Sequence, residues 1–189
     1  MTSLRMTTAN LEVLPDPLDD TRYEIIDGEL YVAKQPSLEH QYASDEACAA
    51  LRSWSTRTGR GFAFSAPGII FADDDNVAPD VIWISKERLR TARGDDGKLH
   101  AAPELVVEVL SPGAYNEQRD RDLKLKLYSR RGVEEYWIVD CAARQVGVYR
   151  RDAGELRPVV TLAADEELRS PLLPGFSLPV NQLFFPGAF

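Results

Sequence analysis

Residues 103–124 read PELVVEVLSPGAYNEQRDRDLK, and this stretch decides the fold. Its first part is rich in β-branched residues and predicts a strand from Glu104 to Leu110. One carboxylate, Glu108, falls in the middle of that apolar run. Because an isolated charge is costly to bury, a metal ion or a nearby cation is expected to compensate it. Lys124 closes the stretch, on a predicted helix.

The chain around this strand alternates between strand and helix patterns. RYEIIDGELYV (22–32) indicates a hairpin that turns at Asp27-Gly28. A helix is predicted from the capping residue Ser37 to about Arg57, with Gly59 and Gly61 ending it. A loop or short helix is predicted at 86–102 and a helix at 116–131. A strand pair or bent strand is predicted at 62–71, a polar turn at 73–76, and strands at 77–85, 134–140 and 144–150. This order predicts an α/β fold with a central mixed sheet flanked by helices.

The length of 189 residues suits one domain with its own core. Residues 1–20 are polar, contain two prolines and are expected to form an irregular arm, so the single domain is predicted over 21–189. The tail LLPGFSLPVNQLF (172–184) is expected to lie extended over the core. The alternative is a homodimer in which the apolar tail packs against a second copy through Leu172, Phe176, Leu183, Phe184 and Phe185.

The net charge of −8 argues against a protein that coats nucleic acid by bulk electrostatics. Residues 119–131 nevertheless carry six basic and two acidic residues. This segment is either a solvated helix face or a phosphate-facing surface formed by Arg119, Arg121, Arg130 and Arg131. No apolar run approaches the ~20 residues that span a bilayer. The first residues also lack the apolar core of a signal peptide, so a cytoplasmic location is expected.

Asp80 follows Pro79 at the start of the predicted strand 77–85. Alternation along that strand puts Asp80 on one face with Ile82, and alternation along the strand 104–110 puts Glu108 on one face with Val106. Two carboxylates on adjacent strands can hold Mg²⁺, which prefers a few oxygen ligands together with waters and phosphate. The alternatives are that Asp80 caps a turn and that Glu108 forms a structural ion pair with an arginine.

The helical period separates the two lysines of the segment 116–131. Lys124 shares a face with Leu127 and Tyr128, whereas Lys126 lies about two hundred degrees away. Lys124 is therefore the lysine expected to face the sheet, where it can stabilise developing phosphate charge. His40 lies on the apolar stripe of the first long helix, so it is predicted to point inward, either as a core residue or as a neighbour of a metal site or a phosphate contact. Glu24 and Glu29 of the hairpin could also approach the site.

Taken together, these segments resemble the Uma family of restriction endonucleases, within the PD-(D/E)XK nuclease superfamily. The likeness covers roughly residues 20 to 180. It is carried by YEIIDGEL (23–30), PSLEH (36–40), APDVIWIS (78–85), PELVVEVLSP (103–112), RDRDLKLKLYSRRGVEEYWIVD (119–140) and VGVYR (146–150).

The resemblance implies a restriction-endonuclease-like fold and a metal-dependent nuclease acting on DNA. It implies that Asp80 and Glu108 bind Mg²⁺ or Mn²⁺ and that Lys124 is the superfamily's catalytic lysine. In the usual motif that lysine stands two residues after the acid, where this chain has Leu110. His40 matches the family's histidine at the start of the first helix. The competing hypothesis is an inactive member of the same fold that binds nucleic acid or a protein.

Overall fold

The computed structural model describes residues 5–13, 22–33, 35–111 and 119–186. In chain order its elements are α1 (Thr8–Glu12), β1 (Arg22–Ile26), β2 (Glu29–Ala33), α2 (Leu38–Thr58), β3 (Gly61–Ser65), β4 (Ile69–Ala72), β5 (Asp75–Val77), β6 (Val81–Ser85), α3 (Lys86–Ala92), β7 (Leu105–Val109), a π-helical segment (Arg119–Lys124), α4 (Leu125–Arg131), β8 (Glu135–Asp140), β9 (Gln145–Asp152), β10 (Glu155–Ala163), β11 (Glu167–Leu168), β12 (Leu178–Pro179) and a 3₁₀ turn (Val180–Leu183).

Six strands form the central sheet, in the order β10-β9-β8-β7-β6-β3. The pair β7 and β8 is parallel, and the other described pairs of this sheet are antiparallel, so the sheet is mixed as predicted. All five side chains of β7 are buried. A strand buried on both faces reads as a continuous apolar run, which is how the sequence 105–109 reads apart from Glu108. The α/β fold with a central mixed sheet is confirmed.

The two faces of the central sheet bury different layers. On one face Val81, Val107 and Val139 pack against the apolar stripe of α2, which includes Leu51 and Trp54. On the other face lies a second cluster that joins the sheet to α3, α4 and a smaller sheet through Ile82, Val106, Ile138, Leu127, Tyr128, Ile26 and Ile69. Glu108 therefore emerges into the layer that contains α4 and the smaller sheet.

The smaller sheet has four strands, in the order β2-β1-β5-β4. Its hairpin turns at Asp27 and Gly28, whose φ angles of 53° and 77° suit the twist of a two-residue turn. The sequence predicted the hairpin but not the sheet. Asp75 and Asn76, predicted to lie in a polar turn, instead belong to β5 and pair with β4, and Asn76 also pairs with Ile25.

Two helical segments also differ from expectation. The arm predicted to be irregular contains α1, which is held by the Thr8 N–H donating to the Asp73 carbonyl at 2.7 Å. The segment 116–131 begins in its described part with the wider π-helical turn up to Lys124, and residues 116–118 lie outside the described residues. By contrast, α2 begins after Ser37 and ends at Gly59, as predicted.

The tail covers the protein's own core. Phe176, Leu178, Leu183 and Phe184 are buried in the cluster beneath α2, and the Trp54 indole N–H donates to the Pro174 carbonyl at 3.2 Å. Of the residues considered for a tail-mediated dimer, Phe185 keeps the largest exposed fraction, 36%. A homodimer stays a prediction, with little apolar tail surface left to form it. Among the described residues, no helix is long and apolar enough to cross a membrane.

Asp75 ties the smaller sheet to α4. It is 1% exposed, and its carboxylate accepts hydrogen bonds from the Asp27 N–H at 2.8 Å and from the Arg130 guanidinium at 2.8 Å. The Arg131 guanidinium also donates to it. Burial alone would raise the pKa of Asp75, but the Asp27 N–H and the two arginines outweigh burial and hold that pKa below its usual value.

We expect Asp75→Asn to lower the free energy of unfolding at neutral pH by about 2 kcal/mol, because hydrogen bonds to a charged group are lost. The folded pKa lies below the unfolded pKa of about 3.9, so the stabilisation is full above that value and is lost as pH falls through the folded pKa. Urea unfolding from pH 3 to pH 8 measures the difference. The half-buried neighbour Asp74 is the control, and a deficit independent of pH would contradict the ionic origin.

Candidate active site

Asp80 lies where β6 begins, next to Glu108 of β7. The antiparallel register pairs Val81 with Val107, and continuing it by one residue puts Asp80 opposite Glu108. Side chains directly opposite each other on antiparallel strands have Cβ atoms about 4.5–5.5 Å apart. The Val109 N–H donates to Asp80 Oδ2 at 2.8 Å, which fixes this carboxylate against the end of β7.

Two basic side chains contact Asp80. His40 Nε2 lies 3.2 Å from Oδ2, and Arg22 Nη1 lies 3.4 Å from Oδ1. Burial would raise the pKa of Asp80, but the His40 hydrogen bond, the nearby charges of His40 and Lys124, and the Val109 N–H hold that pKa below its usual value. Asp80 is therefore an anion at neutral pH, the form that binds cations.

Glu108 is buried one residue before the end of β7, with 2% of its surface exposed. Its Oε1 accepts from Lys124 Nζ at 2.9 Å and from the Tyr128 hydroxyl at 2.6 Å. The compensating cation is thus a lysine rather than the arginine considered as an alternative. Burial, followed by the charges of Glu108 and Glu24, raises the pKa of Tyr128 well above its usual value, so its hydroxyl stays a donor.

Lys124 joins the two sheets of the protein. Its Nζ lies 3.1 Å from Glu24 Oε1 on β1 and 2.9 Å from Glu108 Oε1 on β7, and all three side chains are buried. Glu24 Oε1 also accepts from the Ala78 N–H at 3.0 Å. Lys124 ends the π-helical segment, and wider turns of this kind occur often at functional positions because they re-aim a side chain.

His40 is held at the start of α2, where its backbone N–H donates to the Ser37 hydroxyl at 3.3 Å. One ring nitrogen faces Asp80. The other, Nδ1, is the one buried side-chain nitrogen or oxygen without a hydrogen-bond partner among the described residues. A buried polar atom left unpaired is costly unless a ligand or water meets it. His40 borders a cavity of 270 Å³ that is lined also by Ser37, Glu39, Leu110, Ser111, Asp140, Cys141 and Ala142.

The donor chemistry of this site suits a hard divalent cation. Asp80 and Glu108 offer carboxylate oxygens from adjacent strands. No group of three or more His, Cys, Asp or Glu side chains in the described part of the chain is arranged to hold an ion. The described residues therefore form no closed protein cage, and the acid pair would hold Mg²⁺ or Mn²⁺ only with a shell completed by water and substrate oxygens, which is how Mg²⁺ is commonly bound.

Three of the four basic residues predicted to contact nucleic acid, Arg121, Arg130 and Arg131, pair with acids outside this cluster. Arg121 pairs with Asp140 at 2.8 Å, and Arg130 and Arg131 pair with Asp75. The side chain of Arg119 lies outside the described residues. Contacts of these arginines with nucleic acid stay a prediction.

The structure brings Asp80, Glu108, Lys124 and His40 into one cluster and adds Glu24 and Tyr128 to it. The i, i+4 spacing from Lys124 to Tyr128 could have identified the tyrosine from the sequence. Glu24 was expected only as one of two hairpin acids that could approach the site. Its contact with Lys124 depends on how the smaller sheet packs on a helical segment far away in the chain, which no local pattern predicts.

An acid pair at the ends of neighbouring strands, next to a buried lysine in a mixed α/β fold, is the arrangement that the resemblance to a nuclease family led us to expect. Residues 9–181 match the family described as "Uma2: Putative restriction endonuclease", and the chain belongs to that family. It also resembles a crystal structure described as a putative nuclease belonging to DUF820 from Anabaena variabilis ATCC 29413. That likeness has a TM-score of 0.74 at 20% identity, over 95% of this chain and 97% of that one. No curated protein matches the chain.

Proposed function

We propose that the protein is an endonuclease that hydrolyses phosphodiester bonds in DNA with Mg²⁺ or Mn²⁺. The observation that carries this proposal is the position of Asp80 opposite Glu108, with the Lys124 ammonium 2.9 Å from the glutamate. Membership in a family described as restriction endonucleases supports DNA as the substrate.

In this proposal Asp80 and Glu108 hold the divalent ion. A bound ion of this kind supplies Lewis-acid polarisation of the phosphate and lowers the pKa of water. The acids are prepared for this role because the Val109 N–H and His40 fix the Asp80 carboxylate, while Tyr128 fixes that of Glu108. Ligands already held in place lose little freedom on binding, which is the preorganisation that an active site needs.

Lys124 has the charge and the position to stabilise the phosphate in the transition state. Its ammonium is buried between the carboxylates of Glu24 and Glu108. It is therefore a hydrogen-bond donor next to the acid pair. A preorganised cation in a site of low dielectric acts more strongly on developing negative charge than one in water. His40 positions Asp80 through Nε2 and leaves Nδ1 to meet water or a phosphate oxygen.

The second candidate function is a non-catalytic protein that binds nucleic acid or a protein partner through the same fold. The ion-pair network favours it, because Arg22 pairs with Asp80, Lys124 pairs with Glu108, and His40 already contacts Asp80. In that case the acids form a structural network, binding depends on surface arginines and falls with salt, and no divalent ion binds at Asp80.

Calorimetric titration with Mn²⁺ and cleavage of labelled DNA together separate the two functions. We expect the wild-type protein to bind Mn²⁺ and to cut DNA with Mn²⁺ or Mg²⁺ but not with EDTA. Asp80→Asn should lose both the binding heat and at least about 10²-fold in rate, because a carboxylate ligand becomes a weaker amide donor. Asp96→Asn, in an exposed loop, is the control. Wild-type protein that neither binds Mn²⁺ nor cuts DNA would contradict the proposal and leave the binding function.

A further inference from the structure

Strand β3 lies at one edge of the central sheet and presents two aromatic rings to solvent. Phe62 is 43% exposed and Phe64 is 36% exposed, and their ring centroids lie 6.3 Å apart with an interplanar angle of 35°. Edge strands are usually protected by charged side chains, by proline or by being short, rather than by exposed phenylalanines. Because both rings are exposed, packing in the core does not account for them.

The edge strand leads to the candidate active site. Phe62 pairs with Ile84 and Phe64 with Ile82, so both rings leave the sheet on the face that also carries Glu108. Two residues beyond Phe64, the Ala66 N–H donates to the Asp80 carbonyl at 2.9 Å. The rings therefore form a line along the sheet edge that ends beside the acid pair.

The surface on either side of these rings is basic. Grooves of 480 Å³ and 640 Å³ meet at Phe62 and Lys86, and the two grooves contain Arg52 on one side and Arg90 and Arg93 on the other. Lys86, Arg90 and Arg93 are exposed and form no ion pair with another described residue, and the lining of the larger groove contains one acid, Asp95. In a chain with a net charge of −8, this concentration of positive charge is local and favours an anionic ligand.

The geometry of the edge is poorly suited to a second strand. The Arg52 guanidinium donates to the Ala63 carbonyl at 3.2 Å, which occupies an acceptor that an added strand would need. The strand is also only five residues long. Both features protect an edge against pairing. Exposed aromatic faces bordered by cations instead match a flexible polyanion whose bases can stack.

We propose that Phe62, Phe64, Lys86, Arg90 and Arg93 bind a single-stranded segment of nucleic acid and lead it toward Asp80. The two rings stack on unpaired bases, and the three cations contact phosphates. Only one part of this inference rests on the proposed nuclease function, namely that the bound strand continues toward Asp80. The inference narrows the substrate to DNA with an unpaired stretch, since bases inside a duplex cannot reach the rings.

Fluorescence anisotropy with a labelled oligo(dT) and with a duplex of equal length, both in EDTA, tests the surface without any cleavage. We expect the wild-type protein to bind the single strand more tightly than the duplex. Phe62→Leu/Phe64→Leu keeps the apolar area but removes the stacking faces, so it should weaken single-strand binding by about tenfold or more per ring. Phe62→Tyr/Phe64→Tyr should bind as well as the wild type, because the faces are retained.

The cations have a separate readout in the salt dependence. Arg90→Ala/Arg93→Ala should lower the slope of log K against log salt by about 1.4, which is roughly 0.7 for each single-strand phosphate contact. Arg157→Ala/Arg169→Ala is the control, because it removes the same charge at a distance from β3. Arg157 lies on β10, at the opposite edge of the central sheet, and Arg169 follows β11. This variant should leave the slope unchanged.

The possible outcomes keep this inference apart from the proposed function. Single-strand binding that needs the rings, in a protein that cuts no DNA, supports the surface and contradicts the nuclease. Cleavage of single-stranded DNA that is unaffected by the Leu and Ala variants overturns the surface and leaves the nuclease. A change of oligomeric state in the Leu variant, with unchanged DNA binding by anisotropy, would make β3 a contact between copies and would also overturn the inference.

Discussion

In a plasmid-cleavage assay with Mg²⁺ or Mn²⁺, we expect Glu108→Gln to lower the rate by at least about 10³-fold. That factor corresponds to about 4 kcal/mol of transition-state stabilisation. Glutamine keeps the size of the side chain and an oxygen that can accept from Tyr128 and Lys124. What it removes is the negative charge, so the loss reports the ionic role of this residue rather than a packing defect.

Glu104 is the matched control for this experiment. It stands four residues before Glu108 on the same side of the strand, is buried, and is also bonded to a cation, with Arg88 Nε at 3.4 Å. Glu104→Gln should lower stability without lowering the rate of cleavage beyond about twofold, because its partners lie away from Asp80. Equal loss of cleavage in the two variants would mean that any buried charge on this strand matters only for folding.

Local patterns in the sequence predicted the elements that local physics determines. Asp27-Gly28 gave the hairpin because those residues tolerate positive φ, and Ser37 and Gly59 gave the two ends of α2. The apolar run at 105–109 gave the buried strand at the centre of the sheet. Each of these signals lies within a few residues of the structure it determines.

The smaller sheet could not be predicted in the same way. Its strand β5 has three residues, two of them polar, and composition alone assigned Asp75 and Asn76 to a turn. They become a buried strand because Arg130 and Arg131 neutralise Asp75 from α4, far away in the chain. A polar strand stabilised by distant partners leaves no periodic pattern of its own.

In the candidate site too, the contacts that follow from local patterns could be predicted, and those that depend on tertiary packing could not. Alternation and the helical period put Glu108 and Lys124 on facing surfaces, and the structure places them 2.9 Å apart. Neither rule could predict that the Lys124 ammonium also contacts Glu24, because that contact requires the packing of one sheet on another. The sequence therefore predicted which residues carry charge toward the site, but not how their charges are balanced.

That balance makes Lys124 the residue with the largest expected effect on stability. Lys124→Met keeps the length of the side chain but leaves two buried carboxylates, Glu24 and Glu108, without their shared cation. Removing one partner of a buried pair costs about 3–5 kcal/mol. In a chain of this size each kcal/mol shifts Tm by about 2–4 °C, so the variant should melt roughly 6–20 °C lower than the wild type. Calorimetry measures the shift.

Lys126→Met provides the matched control, since Lys126 is exposed two positions along the same helix and should change stability by no more than about 0.5 kcal/mol. A double-mutant cycle then tests the cause. In Glu24→Gln/Lys124→Met one of the two unbalanced charges is gone, so the loss should be smaller than the sum of the single losses by about 0.5–3 kcal/mol. Additive losses would mean that Glu24 and Lys124 stabilise the protein independently. The ammonium would then be free to act on substrate phosphate without first holding the two sheets together.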